Sequence, residues 1–229
     1  MSDASGDGSD SKRSGFLGFV AHEVRNPLST ALWSAELLTR MVPEERGGAR
    51  GERLSAMCLR SIARVRQLME DHFLCERLDA GGIPLRIEPI GLREAVEAVL
   101  ARPPAREPVV VDLDPALAVR GDRTLVERAI DALVAVASTD HAAVRIEASE
   151  APRGTVALSV RGYSPPPSAI EDPTKGSPSE PRGRALALPL ARRIAEALGG
   201  NLATAEAGCV LLLPLAEGYI ARPKPTAHP

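Results

Sequence analysis

Apolar residues near the start of the chain recur at alternating intervals of four and three, the spacing that aligns one face of a helix in a coiled coil. They are Leu17, Ala21, Val24, Leu28, Ala31, Ala35, Leu38 and Val42. The pattern predicts a helix from about Ser14 to Val42, because Pro43 cannot continue it. Residues 44–52 combine glycine with charge and predict an exposed turn.

A second helical pattern runs from about Glu52 to Asp79 and stops at Gly81-Gly82. Its apolar members are Leu54, Met57, Cys58, Ile62, Val65, Leu68, Met69 and Phe73. Two antiparallel helices of this length cannot bury both apolar faces alone. We therefore expect a homodimer in which two hairpins form a four-helix bundle.

Beyond Gly82 the pattern changes to short strands mixed with helices, which predicts a second domain that combines α and β structure. Strands are expected at 84–90, 109–113, 144–148 and 155–160, with a turn at 151–154, and helices at 92–100 and 125–137. The predicted organisation is a disordered polar tail (1–13), a helical hairpin (14–80), the second domain (84–216) and a proline-rich tail (217–229).

Composition narrows the class of protein. The 229 residues are 44% apolar, enough to bury a core without disulfides or metals. A net charge of −2, from 28 basic and 30 acidic residues, gives no argument for binding nucleic acid or an anionic membrane. No apolar run approaches the ~18–20 residues of a membrane helix, and no signal sequence is apparent, so a cytoplasmic protein is expected. Cys58, Cys75 and Cys209 lack paired spacing and are predicted to be buried free thiols, with no metal site.

The candidate chemistry lies on the first helix, in the heptapeptide His22-Glu23-Val24-Arg25-Asn26-Pro27-Leu28. Asn26 follows His22 by four residues, so both stand on the same helical face one turn apart. Glu23 lies beside the imidazole, where it can hydrogen-bond one ring nitrogen and leave the other as a nucleophile. His22 is therefore a candidate phosphate acceptor.

This heptapeptide, extended to Phe19, resembles the H-box of bacterial two-component histidine kinases. The resemblance implies that His22 is the phospho-acceptor, Glu23 its adjacent acid and Asn26 the amide used in phosphatase chemistry. It also implies a hairpin that dimerises through a four-helix bundle. Farther on, Ala185 to Leu215 resembles the last helix and closing strands of the family's ATP-binding domain, so the implied fold is a hairpin followed by an α/β sandwich.

The same resemblance exposes departures in the ATP-binding region. The two asparagines of the family's N-box helix fall on Ala132 and Val136, and neither side chain offers the oxygen that Mg²⁺ requires. In the next box, Gly162 replaces the acid that contacts adenine and Pro166 replaces a glycine.

Other segments of this region also depart from the family's pattern. Within Gly183 to Leu188, two of the family's three glycines are alanine. The segment from Ser164 to Pro181, with six prolines, is predicted to be an extended loop, and Asp122, Glu127 and Asp131 a solvated helix face. No bound ATP is expected.

These features together predict a phosphotransfer protein, similar to the small phosphotransferases that evolved from histidine kinases. His22 would exchange a phosphoryl group with response-regulator receiver domains, which bring their own Mg²⁺, and an upstream hybrid histidine kinase is a further candidate partner. No ATP-dependent autokinase activity is expected. The alternatives are an active or partner-dependent histidine kinase, a response-regulator phosphatase that uses Asn26, and a non-enzymatic pseudokinase scaffold. Arg60, Arg64 and Arg77 are interpreted as solvated surface residues.

Overall fold

The computed structural model describes residues 7–102, 109–138, 143–163, 165–171 and 186–219. The chain forms two compact units that meet in sequence between Leu74 and Cys75, and Leu186 also belongs to the first unit. The first unit is helical, whereas the second contains both helices and β-sheets. The predicted fold class, a helical hairpin followed by an α/β domain, is confirmed.

In the described residues, the first unit contains α1 (Asp7–Arg40), α2 (Pro43–Arg46) and most of α3 (Ala49–Asp79), whose last residues from Cys75 belong to the second unit. Val20 packs against Leu68, and Glu23 lies beside Arg64. Rising residue numbers on α1 thus meet falling numbers on α3, so these two helices run antiparallel.

The beginning of α1 differs from the prediction. The helix begins at Asp7 rather than Ser14, so the predicted disordered tail is wrong for residues 7–13, while residues 1–6 lie outside the described part of the chain. A physical reason is that extending an existing helix gains one backbone hydrogen bond for each residue fixed, whereas only nucleation is costly. Polar composition alone therefore does not mark where the helix begins.

The predicted turn between the long helices contains a short helix of its own, α2. Pro43 stands at its first position, where the missing N–H is not needed and the fixed φ suits a helix. Glu44 and Glu45 follow in its first turn, where the helix dipole favours negative charge. Gly47 then forms the C-cap, with its backbone N–H donated to the Pro43 carbonyl.

Apolar side chains of the first unit divide into a buried set and an exposed set. Those of the buried set include Val20, Ala31, Met41, Leu54 and Leu68. The other set, here called the exposed apolar face, is at least half exposed and comprises Leu17, Leu28, Leu32, Trp33, Val42, Leu59, Ile62 and Phe73. The predicted coiled-coil seam is therefore split, since Ala31 is buried while Leu17 and Leu28 are not.

The second unit is built on a mixed five-stranded sheet with the order β2-β4-β5-β7-β6. Its strands are β2 (Val109–Asp112), β4 (Val144–Ala151), β5 (Thr155–Arg161), β6 (Asn201–Ala205) and β7 (Gly208–Pro214). β2 and β4 are parallel, and all other neighbours are antiparallel. A separate antiparallel ribbon joins β1 (Glu88–Gly91) to β3 (Ala118–Gly121).

Helices α4 (Leu92–Leu100), α5 (Arg123–Ala137), α6 (Ser168–Glu171) and α7 (Ala187–Ala197) complete the second unit in the described residues. α5 packs against α4, α7 and β5, and α7 also contacts β6 and β7. On β5, Val156, Leu158 and Val160 are buried and alternate with half-buried residues, as expected for a strand with one face on the core. The core therefore lies between the sheet and the α5–α7 pair.

Two short elements were not anticipated. The four-residue strand β3 pairs with β1, and α6 lies inside the segment predicted to be an extended loop. Ala169 and Ile170 of α6 are buried, so apolar contact stabilises a helical turn there. Residue 164 and residues 172–181 of that segment lie outside the described part of the chain.

Two polar contacts connect residues near the two ends of the second unit with its helices. Arg193 on α7 donates from Nε to both carboxylate oxygens of Asp79, at 2.8 and 2.9 Å. Burial acts to lower the pKa of the Arg193 guanidinium, but the hydrogen bond and charge of Asp79 give a net rise. The Tyr219 hydroxyl donates to Glu94 Oε1 at 3.2 Å, so residue 219 of the predicted C-terminal tail contacts α4.

Candidate functional site

His22 stands on α1 with its imidazole two-thirds exposed, at 66%. Its Nδ1 atom lies 3.6 Å from Glu23 Oε1. The carboxylate is thus on the Nδ1 side of the ring, and Nε2 is the nitrogen that Glu23 does not face. An exposed imidazole whose Nδ1 faces an acid can act as a nucleophile through Nε2.

Glu23 is only 19% exposed and faces a second cation. Its other oxygen, Oε2, lies 3.8 Å from Arg64 Nη2 on α3. The single carboxylate therefore lies between the imidazole of the preceding residue and a guanidinium from the antiparallel helix. This arrangement gives the Glu23 side chain one contact on each oxygen.

Asn26 is exposed one turn beyond His22, as its spacing predicted. α1 continues across Pro27, which is buried and cannot donate a backbone N–H to the carbonyl four residues before it. The Asn26 carbonyl accepts the Thr30 hydroxyl at 3.1 Å. His22, Glu23 and Asn26 are therefore all carried by one continuous helix, just before Pro27.

The helix is anchored next to His22 by an apolar cluster. Val20, Leu68 and Leu186 are buried together, and Phe19 and Val24 pack partly against them. Since Val20 and Val24 flank His22 in sequence, their burial fixes the rotation of α1 and turns His22 outward. The exposed ring is a consequence of this packing.

Arg64 belongs to this site, although the sequence predicts a solvated surface residue at its position. Only the register of the hairpin could have revealed it. Once Val20 is placed against Leu68, an antiparallel pair brings a residue near 64 beside Glu23. Sequence spacing within one helix carries no such information.

The positions at which the sequence departs from the family's ATP-binding boxes lie in the second unit, and the described ones are apolar or glycine, apart from Pro166. Ala132 and Val136, at the positions of the family's asparagines, are each 3% exposed and form part of the core. Ala187 is 1% exposed at the start of α7, while Gly183 and Ala185 lie outside the described residues. Apolar side chains cannot ligate a hard cation, so Ala132 and Val136 do not fit the role of Mg²⁺ ligands.

Gly162, which aligns with the adenine-contacting acid of the family, has a packing role. A Cβ atom there would lie 2.5 Å from the Ala137 carbonyl oxygen at the end of α5. The same carbonyl accepts the backbone N–H of Tyr163 at 3.2 Å. A side chain at 162 would therefore push α5 away from the end of β5.

Within the described residues, no group of three or more His, Cys, Asp or Glu side chains is placed to hold a metal ion. None of the helices in the described ranges has both the length and the apolar content to cross a membrane. Cys58, Cys75 and Cys209 are free thiols, and the last two are buried.

Comparison with known proteins relates the helical hairpin to a known domain family. Residues 12–81 match the family model described as the His Kinase A (phospho-acceptor) domain, a range that includes His22, Glu23, Asn26 and Arg64. The match shows that the helical hairpin is similar to the phospho-acceptor domain of histidine kinases. Among curated proteins, no match to the chain was found.

Two solved structures illustrate the similarity of fold. The Acinetobacter baumannii histidine kinase AdeS has a TM-score of 0.60 at 17% identity, with 86% of this chain and 98% of AdeS covered. Full-length ShkA, in complex with AMPPNP, has a TM-score of 0.59 at 22% identity, with 90% of this chain covered. This chain spans 47% of the ShkA chain. At these identities the likeness establishes the fold alone.

Proposed function

We propose that this histidine kinase-like protein is a phosphorelay intermediate that moves phosphoryl groups between receiver domains without using ATP. The observation that carries the proposal is a contrast within one chain. His22 is exposed and its Nδ1 faces Glu23, whereas the metal-ligand positions of the second unit hold the buried side chains Ala132 and Val136. The acceptor chemistry is retained and the ATP-dependent chemistry is not.

In the transfer step, the lone pair of His22 Nε2 attacks the phosphorus of an aspartyl phosphate on the receiver. An N–P bond forms, the P–O bond to the aspartate breaks, and its electron pair leaves on the aspartate carboxylate. The ring then carries the Nδ1 proton and a positive charge, which Glu23 balances. The reverse step delivers the group to a second receiver, and Mg²⁺ belongs to the receivers.

Loss of the nucleotide is supported by the size of the missing contacts. Each absent polar contact costs ~1–3 kcal/mol, so losing the metal ligand and the adenine acid costs about 2–6 kcal/mol. That corresponds to roughly 30-fold to 10⁴-fold in affinity. In this proposal the second unit no longer binds nucleotide, and its role is to dock partners and to maintain the shape of the protein.

The proposed functional form is a homodimer. The exposed apolar face places Leu17, Leu28 and Leu32 along α1, where exposures of 51%, 54% and 61% leave much apolar surface in water. Burial against a second copy would complete a four-helix bundle. Exposed apolar surface of this extent on a helical hairpin is typical of an interface.

Two labelling reactions test the proposal. The protein is incubated with radiolabelled ATP and Mg²⁺, and separately with a receiver domain carrying a radiolabelled aspartyl phosphate. We expect acid-labile label on the protein only in the second reaction, and none on a His22→Gln control. Because His22 is largely exposed, that control should lose less than about 1 kcal/mol of unfolding free energy. Label from ATP on His22 would instead support an active histidine kinase.

A second candidate function is supported by Asn26, whose amide is exposed one turn from His22. In a response-regulator phosphatase, such an amide orients the water that attacks the aspartyl phosphate. Loss of receiver phosphate without transient label on His22, abolished by Asn26→Ala, would favour that function. In the relay, Asn26→Ala leaves labelling of His22 largely intact.

A further inference from the structure

We infer that Arg64 is a positioning residue for His22 and acts through Glu23. The inference rests on the proposed role of His22 as a phosphoryl acceptor and adds a residue from the opposite helix to that site. The three side chains form one chain of contacts, here called the side-chain triad. Arg64 Nη2 lies 3.8 Å from Glu23 Oε2, and Glu23 Oε1 lies 3.6 Å from His22 Nδ1.

Burial distinguishes the side-chain triad from a surface ion pair. Glu23 and Arg64 are 19% and 27% exposed, whereas His22 is 66% exposed. The side-chain triad therefore extends from the hairpin interior to an imidazole in solvent. A carboxylate held by a guanidinium on one oxygen has fewer orientations available, so its other oxygen stays directed at Nδ1.

Charge gives Arg64 a second effect on the same reaction. A phosphoryl donor is negatively charged, and the Glu23 carboxylate beside His22 repels it. The permanently charged guanidinium on the far side of that carboxylate offsets the repulsion. Removing Arg64 thus releases the carboxylate and leaves its charge uncompensated, and both changes slow attack by His22 Nε2.

Phosphoramidate provides a probe that requires neither ATP nor a receiver. The His22 Nε2 lone pair attacks its phosphorus, an N–P bond forms, and the donor's own P–N bond breaks with its electron pair leaving on ammonia. The rate of phosphorylation at His22 is followed by mass spectrometry on the full chain. His22→Gln provides the blank, because the chain holds three further histidines.

Arg64→Gln should slow this reaction by about 2- to 5-fold, the range expected for a partly exposed ion pair. Arg64→Lys, which keeps the charge, should recover most of the rate. The matched control is Arg66→Gln, since Arg66 lies two residues away on α3, is 77% exposed and pairs with Glu70 at 3.6 Å. It should react like the wild type.

Action through Glu23 has its own test. Arg64→Gln should have no further effect on the rate in a Glu23→Gln background, because the two residues act in series. The ¹⁵N NMR signals of His22 should show a large population with the proton on Nδ1 in the wild type, reduced in Arg64→Gln and restored in Arg64→Lys. A structural role for Arg64 would not move this tautomer.

Wild-type rate and tautomer in the Arg64→Gln protein would overturn the inference, as would an equal slowing in the Glu23→Gln background. A slower reaction with an unchanged tautomer would also overturn positioning and leave only the charge effect. Failure of the proposed phosphorelay function would look different. The wild type would then react with phosphoramidate at His22 but take no label from a phosphorylated receiver.

Discussion

Buried carboxylates on α5 show how single residues of the second unit are stabilised. Glu127 and Asp131 are only 9% and 7% exposed, contrary to the solvated face expected from the sequence. Buried charge is unfavourable unless opposite charge or hydrogen bonds compensate it. Glu127 contacts Arg102 through one oxygen and lies 3.9 Å from Arg123 through the other. Arg123 lies four residues before Glu127 on the same helix, but the contact with Arg102 depends on tertiary structure, so helical spacing alone could not reveal that the position is buried.

Cys209 provides a residue-level prediction about reactivity. It lies in β7 and is 4% exposed, and burial raises the pKa of its thiol from near 9.0 to about 11. Only the thiolate reacts rapidly with disulfide reagents. At pH 8 we expect a disulfide reagent to label Cys58, which is half-buried, far faster than Cys209 in the folded protein. Mass spectrometry of each cysteine, with Cys58→Ser as control, measures the difference.

The same pKa shift gives stability a pH dependence with a defined sign. The folded thiol titrates above the unfolded one, so folding keeps the proton that the unfolded chain releases. The contribution to the unfolding free energy is fully present below about pH 9 and falls as pH rises toward about 11. Equal labelling of Cys58 and Cys209 at pH 8 in the native protein would contradict this picture.

At the scale of elements, helices with a strong apolar period were the most predictable. α4 has the predicted bounds of Leu92–Leu100, and α5 begins two residues before its predicted start. Two four-residue elements, β3 and α6, could not be predicted, because they depend on partners elsewhere in the chain. The same limit applies to the candidate site, where His22, Glu23 and Asn26 follow from spacing but Arg64 requires the hairpin register.

The start of α5 gives an element-level prediction. Asp122 is its N-cap and accepts the backbone N–H groups of Thr124 and Leu125 through Oδ1, at 3.0 and 3.3 Å. Its Oδ2 accepts the Arg86 N–H at 3.0 Å. Asp122→Ala should lower the unfolding free energy by about 1–2 kcal/mol in urea denaturation, because it leaves these donors unmatched.

Asp122→Asn is the matched control, since its amide oxygen can still cap the helix, and it should lose clearly less stability. A loss below about 0.5 kcal/mol for Asp122→Ala would mean that the cap is dispensable.

At the scale of the whole molecule, the exposed apolar side chains are distributed unevenly between the two units. In the described residues, the large exposed ones of the second unit are Ile87 and Val110, whereas all the others belong to the first unit. Apolar surface concentrated on one unit indicates that this unit carries the principal association surface. The second unit has its own compact core and does not need a partner for burial.

Light scattering tests the proposed dimer on the full chain of 24.2 kDa. At tens of micromolar, the wild type should have twice the mass of one chain, and a Leu28→Glu, Leu32→Glu double variant should be monomeric, because charge at a buried apolar interface is costly. Ile87→Glu is the control, since Ile87 is 47% exposed but lies in the second unit. A monomeric wild type would exclude the homodimer.

Nucleotide binding is the last whole-molecule prediction, and it separates the relay from a kinase most directly. The prediction rests on Ala132 and Val136, which lie in the core at the positions aligned with metal-ligating asparagines, and on Pro166 and Ala187, which align with glycines of the family. Calorimetry with ATP or ADP and Mg²⁺ should therefore detect no binding up to millimolar nucleotide. The unfolding free energy should also be unchanged, whereas a ligand present at 100 times its Kd would add about 2.7 kcal/mol. A micromolar Kd would contradict the loss of the site and make an active histidine kinase the better explanation of the whole chain.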